Sequence, residues 1–557
     1  MGQFDAIVVG SGISGGWAAK ELCEKGLKVL LLERGGPYDH IKDYKTSNLD
    51  PWEKTYREQT TTEQKKNYPA IHRGWAANES VMDGWANEID NPYVEVKPFT
   101  WWRSYRMGGR SILWGRQSYR FSEMDFEANA KEGIGIDWPV RYADIAPWYD
   151  YVEKHAGISG SLERLPQLPD GQFLPPMELN CVEKDAAERI KKAFEGKRHL
   201  FIGRVANLTA PIKGRTQCQY RNRCWEGCPF GGYFSSQSST LPVAMKTGNL
   251  TIRPWSIVTE VVYDKDTKKA TGVKILDAET SEVLEYKSKI VFLCASALNS
   301  AWILMNSATD VWQDGLGSSS GQLGRNVMDH HYNVGAFGKI PGFEDKYVYG
   351  RRANGFYIPR FTNLIGDKRE YLRGFGYQGG ASREGWGREI AELQIGGGYK
   401  DALTEPGFWN MGMTAFGEIL PDEKNRIYLH PTQKDKWGLP VLAMDAELKE
   451  NEMKMRKDMQ AEAIHMLEVS GAENINSWDN GHAMGHGVHE MGTARMGKEA
   501  KTSVLNKWNQ IWDAPNVFVT DGAFMTSSGC QNPSLGYMAF TARAADYAVD
   551  QLKKMNI

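Results

Sequence analysis

The first part of the chain alternates between short apolar runs and a helix-like pattern. Residues 4–9 and 27–32 are apolar runs with many Val, Ile and Leu residues, and residues 17–25 between them predict a helix. Residues 290–293 form a similar run much later in the chain. Short continuous apolar runs are typical of parallel strands that are covered on both faces, so this pattern predicts an α/β fold.

The pattern changes between about residues 335 and 480, where aromatic and glycine-rich segments alternate. These segments predict strands of a largely antiparallel sheet, and residues 425–429 predict another strand. A core helix is predicted from apolar positions at helical spacing, which are Leu448, Met455, Met459, Ala463 and Met466. The predicted fold class is α/β, with a Rossmann-like cofactor domain interleaved with an α+β substrate domain built on the antiparallel sheet.

Three closely spaced glycines follow the first apolar run, in the order Gly10-x-Gly12-x-x-Gly15. Gly10 allows a tight turn, Gly12 lets main chain approach a pyrophosphate, and Gly15 lets the helix pack closely on the strand. Glu33 ends the second run and can accept hydrogen bonds from a ribose. A plain glycine-rich turn is the alternative, but the strand, helix and acid together favour a dinucleotide site.

Two further features favour FAD among the dinucleotides. The continuation Glu33-Arg34-Gly35-Gly36 is typical of flavoproteins, and a second glycine turn lies at Gly108 and Gly109, followed by Ser111. Glycines there would let main chain lie against a flavin ring or a pyrophosphate. We therefore expect both turns to bind one large cofactor.

Composition excludes several other classes of protein. The 557 residues are 41% hydrophobic and 24% charged with a net charge of −2, which gives no basic field for nucleic acid. The longest apolar stretch, residues 290–298, is too short to cross a bilayer, and the glycine turn starts too near Met1 to leave room for a signal peptide. Seven cysteines in so long a chain predict no disulfide framework.

Three of the cysteines are clustered as Cys218-x5-Cys224-x3-Cys228. Thiolates at this spacing, with glycines nearby to fold a tight loop, favour an iron–sulfur or zinc site over unliganded thiols. The segment offers three cysteines, whereas zinc or a cubane cluster requires a fourth ligand.

Several segments resemble the glucose-methanol-choline (GMC) flavin oxidoreductases, and within them the bacterial membrane-associated sugar dehydrogenase catalytic subunits and the pyranose oxidases. They are the first glycine turn, residues 108–111, Asp137-Trp138-Pro139 with residues 142–144, residues 323–330, and the whole C-terminus. The cysteine spacing resembles that of the three-iron cluster in bacterial FAD-dependent glucose, gluconate and fructose dehydrogenases. The resemblance thus implies FAD and a [3Fe-4S] cluster at Cys218, Cys224 and Cys228.

We expect an FAD-binding domain at residues 1–37, 101–135, 236–335 and 481–557, and a substrate domain at 336–480. Residues 38–100 form an insertion or lid, and residues 136–235 an insertion with the cysteines. Residues 75–85 are expected to pack on the surface rather than contact substrate. The resemblance adds Val258, Asp521, Gly522 and Asn532 to Gly10, Gly12, Gly15, Glu33, Arg34, Gly108, Gly109 and Ser111 as cofactor-binding residues. Leu113 lies where some pyranose oxidases attach FAD through histidine, which implies noncovalent FAD.

His489 is the expected catalytic base, because residues 489–497 resemble the family segment that carries it. Asn532 is expected to orient the substrate hydroxyl beside it, and His486 is the alternative base. A metal triad of His482, His486 and His489 is less favoured, since the surrounding glycines oppose a helix. The unperturbed pKa of histidine, about 6.5, suits a base near neutral pH.

The predicted activity is FAD-dependent oxidation of a secondary hydroxyl of a sugar or glycoside to a ketone, with glucoside 3-dehydrogenase as the finest assignment. Electrons would pass through the cluster to an external acceptor, and the resemblance implies a small subunit and a cytochrome as partners. Gluconate 2-, fructose 5- and glucose 1-dehydrogenase, a pyranose-oxidase-like enzyme, and a noncatalytic flavin electron-transfer protein are the alternatives. The location is cytoplasmic, or periplasmic through export with a small subunit.

Overall fold

The computed structural model describes residues 4–212, 214–348, 350, 352–385 and 396–557, and these parts of the chain fold around two large sheets. The strands are β1 (Phe4–Val9), β2 (Val29–Leu32), β3 (Val94–Glu95), β4 (Phe201–Ile202), β5 (Leu250–Arg253), β6 (Ser256–Asp264), β7 (Lys269–Asp277), β8 (Val283–Leu293), β9 (His330–His331), β10 (Val334–Ile340), β11 (Phe356–Ile358), β12 (Phe375–Arg383), β13 (Trp409–Glu418), β14 (Arg426–Lys434), β15 (Pro440–Asp445), β16 (Glu473–Asp479), β17 (Gln510–Ile511) and β18 (Ala514–Val519).

Helices connect and cover these strands. They are α1 (Ile13–Glu24), α2 (Thr62–Asn67), α3 (Pro69–His72), α4 (Glu123–Glu132), α5 (Tyr142–Ala156), α6 (Cys181–Ala193), α7 (Thr240–Lys246), α8 (Ala297–Asn306), α9 (Gly397–Thr404), α10 (Glu450–Val469) and α11 (Ser534–Lys553). Short 3₁₀ turns lie at Thr55–Glu58, Glu79–Gly84, Gly109–Ile112, Cys224–Glu226 and Gly522–Phe524. Among the described residues, no helix is both long and apolar enough to span a bilayer.

The first sheet has the predicted parallel core. Its order is β17-β18-β8-β1-β2-β5, with β6 and β7 joined to it through β8. Within β1, Ala6 pairs in parallel with Val29 on one side and with Ile290 on the other. Strand β1 therefore lies in the middle of the sheet and is fully covered, which explains its continuous apolar sequence.

The second sheet is antiparallel, as predicted, in the order β16-β10-β13-β12-β11-β4, and β9 pairs with β13. Helix α10 covers it, and the buried side chains of the helix include Met455, Met459, Ala463 and Met466. The helical spacing of these four residues thus marked the core face correctly, whereas Leu448 lies before the helix and is only partly buried, against a different part of the core.

Residues 425–429 belong to neither large sheet. Strand β14 pairs with β15, and β15 pairs with β3 from the 38–100 insertion, so the three strands form a separate sheet. A strand's partner is decided by tertiary packing, which the local alternation of side chains does not reveal. Strand β3 thereby attaches the 38–100 insertion to β15 and, through it, to β14.

Candidate active site

The parallel strands end at one edge of their sheet, and a cavity of about 310 Å³ opens there. Val9, Leu32 and Cys294, which end or directly follow β1, β2 and β8, line its floor. Most of the residues predicted to bind cofactor line the same cavity: Gly10, Gly12, Glu33, Arg34, Gly109, Ser111, Val258, Asp521, Gly522 and Asn532. Ligands bind at the carboxyl edge of parallel sheets in this way because the loops diverge there.

The three glycines of the first turn have different surroundings. Gly10 has φ +94°, and a Cβ on it would lie 2.5 Å from the carbonyl oxygen of Cys294. A Cβ on Gly15 would lie 1.8 Å from the carbonyl oxygen of Gly10, so the helix packs directly on the turn. Gly12 instead lines the cavity, and a Cβ there meets no heavy atom within 4 Å.

Glu33 joins the two glycine turns. Its carboxylate accepts hydrogen bonds from the Ser11 amide at 3.0 Å, the Ser11 hydroxyl at 2.5 Å and the Gly35 amide at 2.9 Å. The Ser11 hydroxyl in turn accepts from the Gly108 amide at 2.8 Å, which places the second turn against the first. Gly108 and Gly15 lie behind the cavity wall, whereas Gly109 and Ser111 line it.

Several buried polar atoms on the cavity wall have no hydrogen-bond partner among the described residues. They include Arg34 Nε, Arg103 Nε and Nη2, Ser104 Oγ and Tyr537 Oη. Arg103 is 6% exposed and forms no ion pair with the part of the chain that is described. Since buried polar groups are nearly always satisfied, these atoms indicate a polar ligand with negative charge, and FAD fits that requirement.

His489 and Asn532 meet in the cavity. Asn532 Nδ2 lies 3.3 Å from His489 Nε2, and Asn532 Oδ1 accepts from Gln378 Nε2 at 2.6 Å. Because the oxygen of the amide is used by Gln378, its NH₂ group points to the imidazole. Gln378 is on β12, so the antiparallel sheet orients an amide that lies just before helix α11.

His330 holds the other side of the His489 ring. His330 Nε2 lies 2.8 Å from the carbonyl oxygen of Gly529, which can only accept, so this nitrogen carries the proton. Burial lowers the pKa of His330 to about 4 and the pKa of His489 well below its usual range, so both rings are neutral. His330 Nδ1 is then an acceptor, and it receives the His489 Nδ1–H at 2.9 Å. The His489 Nε2 lone pair is left facing Asn532 and the cavity.

Main-chain contacts fix the segment around His489. Both oxygens of Asp329 accept from backbone amides, those of Gly487 and His489, each at 2.9 Å. Burial, with Glu490 nearby, raises the pKa of Asp329 to about 7. Val488 has φ +57°, which is rare for a β-branched residue and is found where a surrounding structure imposes it.

The predicted cluster ligands lie in one loop. The Tyr220 amide donates to Cys218 Sγ at 3.5 Å, the Gly232 amide donates to Cys228 Sγ at 3.3 Å, and Cys224 begins the 3₁₀ turn. However, among the described residues no group of three or more His, Cys, Asp or Glu side chains is arranged to hold a metal ion. The [3Fe-4S] cluster therefore stays a prediction.

Residues 75–85 contradict the expectation of simple surface packing. Trp75 and Trp85 both line the cavity that contains His489, together with Trp102 and with Trp225 of the cysteine loop. The insertion reaches this position because the cysteine loop holds it: Lys54 Nζ lies 2.7 Å from Glu226 Oε1, and Arg223 donates to the Ser47 carbonyl at 3.1 Å. These contacts join distant parts of the chain, so the local sequence does not show them.

Two residues beside His489 and Asn532 were not identified from the sequence. His330 is the last residue of segment 323–330, which carries part of the family resemblance. Its position in that segment, directly after Asp329, was the one sequence feature that could have marked it as a site residue. Gln378 has no such signal, because nothing in its segment separates it from other polar residues of a half-buried strand.

The chain is similar to known proteins over most of its length. The N-terminal model of the family described as GMC oxidoreductase matches residues 4–332, and the C-terminal model matches residues 421–541. The 2-methyl-1,2-propanediol dehydrogenase of Mycolicibacterium austroafricanum is 29% identical over 98% of this chain and 95% of its own. The fructose dehydrogenase large subunit of Gluconobacter japonicus is 26% identical over 99% of this chain and 98% of its own.

Among solved structures, the pyridoxine 4-oxidase from Mesorbium loti superposes with a TM-score of 0.60 at 16% identity, covering 98% of both chains. This similarity concerns the fold alone. The family models extend over most of the sequence, and the C-terminal model includes both His489 and Asn532. The chain belongs to the GMC oxidoreductase family.

Proposed function

We propose that the protein is an FAD-dependent dehydrogenase that oxidises a secondary hydroxyl of a sugar or glycoside to a ketone. The most specific activity that we propose is that of a glucoside 3-dehydrogenase. The observation that carries the proposal is the His489–Asn532 pair, which lies in the same cavity as both glycine turns. Bound FAD would accept the hydride from the carbon of the alcohol. The buried atoms without partners at Arg103 and Ser104 are the groups that we expect to hold the cofactor.

His489 and Asn532 have complementary roles toward a hydroxyl group. The neutral His489 Nε2 accepts the hydroxyl proton, and Asn532 Nδ2 donates a hydrogen bond to the same oxygen. Removing that proton makes loss of hydride from the adjacent carbon easier, because the oxygen then carries the negative charge. The Gln378 hydrogen bond keeps the amide in the orientation that this requires.

We further propose that electrons leave through an iron–sulfur cluster at Cys218, Cys224 and Cys228. In support, Arg116 and Arg215 are buried beside this loop, and neither has a carboxylate partner among the described residues. Burial lowers the pKa of Arg215 to about 10, and the charge of Cys228 acts against this effect. Two buried cations favour an anionic group nearby, and three thiolates with a cluster would provide one.

Iron analysis tests this part separately. The purified holoprotein should contain about three iron atoms per chain with acid-labile sulfide, and Cys224→Ser should lose them while it keeps FAD. A wild-type protein without iron would leave these cysteines unliganded, and electrons would then pass directly from flavin to the acceptor. A small subunit and a cytochrome remain the proposed partners, since a relative is named as a large subunit.

Anaerobic reduction of the flavin tests the substrate class. Methyl glucoside, whose C1 is blocked, should bleach the flavin of the holoprotein, and His489→Ala should slow this bleaching about 100-fold or more. His482→Ala is the matched control, because this nearby histidine is half-exposed and lies outside the cavity.

Bleaching only by glucose, gluconate or fructose would replace the assignment with a 1-, 2- or 5-dehydrogenase. Bleaching only by 2-methyl-1,2-propanediol would instead favour the second candidate, a short-chain diol dehydrogenase like the relative named above. Rapid formation of peroxide in air would favour an oxidase. A rate that is unchanged in His489→Ala would remove His489 from the mechanism, and a flavin that no alcohol reduces would support the noncatalytic electron-transfer alternative.

A further inference from the structure

Four tryptophans from separate parts of the chain meet at one side of the cavity. Trp75 and Trp85 come from the insertion, Trp102 precedes the second glycine turn, and Trp225 lies in the cysteine loop. The ring centroids of Trp75 and Trp225 are 4.6 Å apart, those of Trp75 and Trp102 are 5.3 Å apart, and those of Trp85 and Trp102 are 5.6 Å apart, all edge to face. We call these four residues the tryptophan rim.

Trp75 is the open member of the rim. It is 50% exposed, whereas Trp85 is 6% and Trp102 is 1% exposed. Its ring is nevertheless held in place by two other rings, so a large apolar surface is offered to the cavity without a protein partner for half of its area. A rigid aromatic surface of this kind is suited to bind the apolar face of a ligand ring.

A polar group of the rim has no partner. Trp85 Nε1 is buried and has no hydrogen-bond acceptor among the described residues, and Trp85 lines the cavity. Sugar rings combine an apolar C–H face with hydroxyl groups that accept hydrogen bonds, so a sugar matches both the ring surface and the unpaired Trp85 N–H donor.

No ring contact joins the tryptophan rim directly to His489 among the described residues; a series of rings on the cavity wall connects them. Phe416 contacts His489 at 6.4 Å between centroids and Tyr332 at 4.9 Å. Tyr332 then contacts His486 at 6.1 Å, and His486 contacts Trp102 at 6.3 Å. Trp75 is thus offered to a ligand beside the His489–Asn532 pair and not at the pair itself.

From this arrangement we infer a second sugar subsite at the tryptophan rim, which binds the ring next to the one that is oxidised. The preferred substrates are then disaccharides, with one pyranose at His489 and Asn532 and the other on Trp75. This inference rests on the proposed sugar dehydrogenase activity. It extends that proposal by assigning the insertion to substrate specificity.

Stopped-flow anaerobic reduction of the holoprotein tests the subsite. In Trp75→Ala, the dissociation constant for cellobiose should rise about fivefold to tenfold, while that for methyl glucoside should stay within about twofold. The limiting reduction rates should not change for either sugar, because Trp75 has no ring contact or hydrogen bond with His489 or Asn532 among the described residues. Trp52→Ala is the matched control, since this tryptophan of the same insertion is 77% exposed and lies outside the cavity.

Trp75→Leu provides a second variant that keeps apolar volume without a flat ring, and it should show the same selective loss for cellobiose. Equal weakening of both sugars, or no change for either, would overturn the subsite while leaving the dehydrogenase proposal intact. Normal reduction with slower reoxidation by an acceptor would instead assign the rim to electron transfer. If no sugar reduces the wild-type flavin, the proposed activity itself is wrong and the subsite is rejected with it.

Discussion

The hydrogen bond from His489 to His330 should control the rate of alcohol oxidation. In His330→Phe, the His489 Nδ1–H loses its acceptor at 2.9 Å in a buried position. An unpaired buried donor costs about 1 to 3 kcal/mol, and the ring can avoid that cost by rotating or by moving its proton to Nε2. Either change removes the lone pair that faces the substrate. We therefore expect the limiting rate of flavin reduction to fall about 5-fold to 150-fold.

The assay is anaerobic reduction followed over a range of substrate concentrations, which separates the limiting rate from the dissociation constant. The dissociation constant should change little, because His330 points at His489 and not at the substrate. His330→Asn is the control, since its side-chain oxygen can accept from His489 and should restore part of the rate. A His330→Phe enzyme with full FAD content and a rate within about twofold of wild type would refute the assigned proton positions.

Three further predictions address the glycine turn, the amide and the buried histidine. Gly15→Ala should destabilise the FAD-free protein by about 1 to 3 kcal/mol, because the added Cβ would meet main-chain atoms. Gly12→Ala should leave the stability of the FAD-free protein unchanged and weaken FAD binding, because its Cβ would enter the cavity. Thermal unfolding measures the first effect and cofactor titration the second. Gln378→Leu should lower the reduction rate about tenfold by freeing the Asn532 amide to turn, and Gln378→Glu, which keeps an acceptor but cannot donate, should not restore it. Burial lowers the pKa of His330 to about 4, so as pH falls below about 6.5 this histidine takes up a proton in the unfolded state before it does so in the folded state. Wild type should therefore lose about 3 kcal/mol of folding stability between pH 7 and pH 4, and His330→Phe should not show this loss. Urea unfolding of both proteins at both pH values measures the difference.

The parts of the fold that depend on local sequence were predictable. The first turn needs glycine at position 10 because of its φ of +94° and at position 15 because a Cβ there would meet the Gly10 carbonyl, and the burial of β1 is visible in its continuous apolar sequence. Helix α10 was marked by its buried methionines. In each case the residues that determine the structure are neighbours in the chain.

The parts that depend on tertiary pairing were not predictable. Gln378 reaches Asn532 only because β12 passes beside it, and Trp75 reaches the cavity only because the insertion is held on the cysteine loop. The small sheet of β14, β15 and β3 was missed for the same reason. The cysteine spacing is a local pattern that indicates ligand chemistry, but the structure brings no metal-binding group together among the described residues.

The two hydrogen bonds that hold the catalytic pair have a consequence for how the enzyme folds. The His330–His489 contact spans 159 residues of chain, and the Gln378–Asn532 contact spans 154. Contacts of such long range form slowly, because a large loop must close before they gain any stability. His330 lies on β9 and Gln378 on β12, so the pair is held in place only after the antiparallel sheet that contains both strands has formed. During refolding, the circular dichroism of helices and strands would return before the ability to oxidise an alcohol.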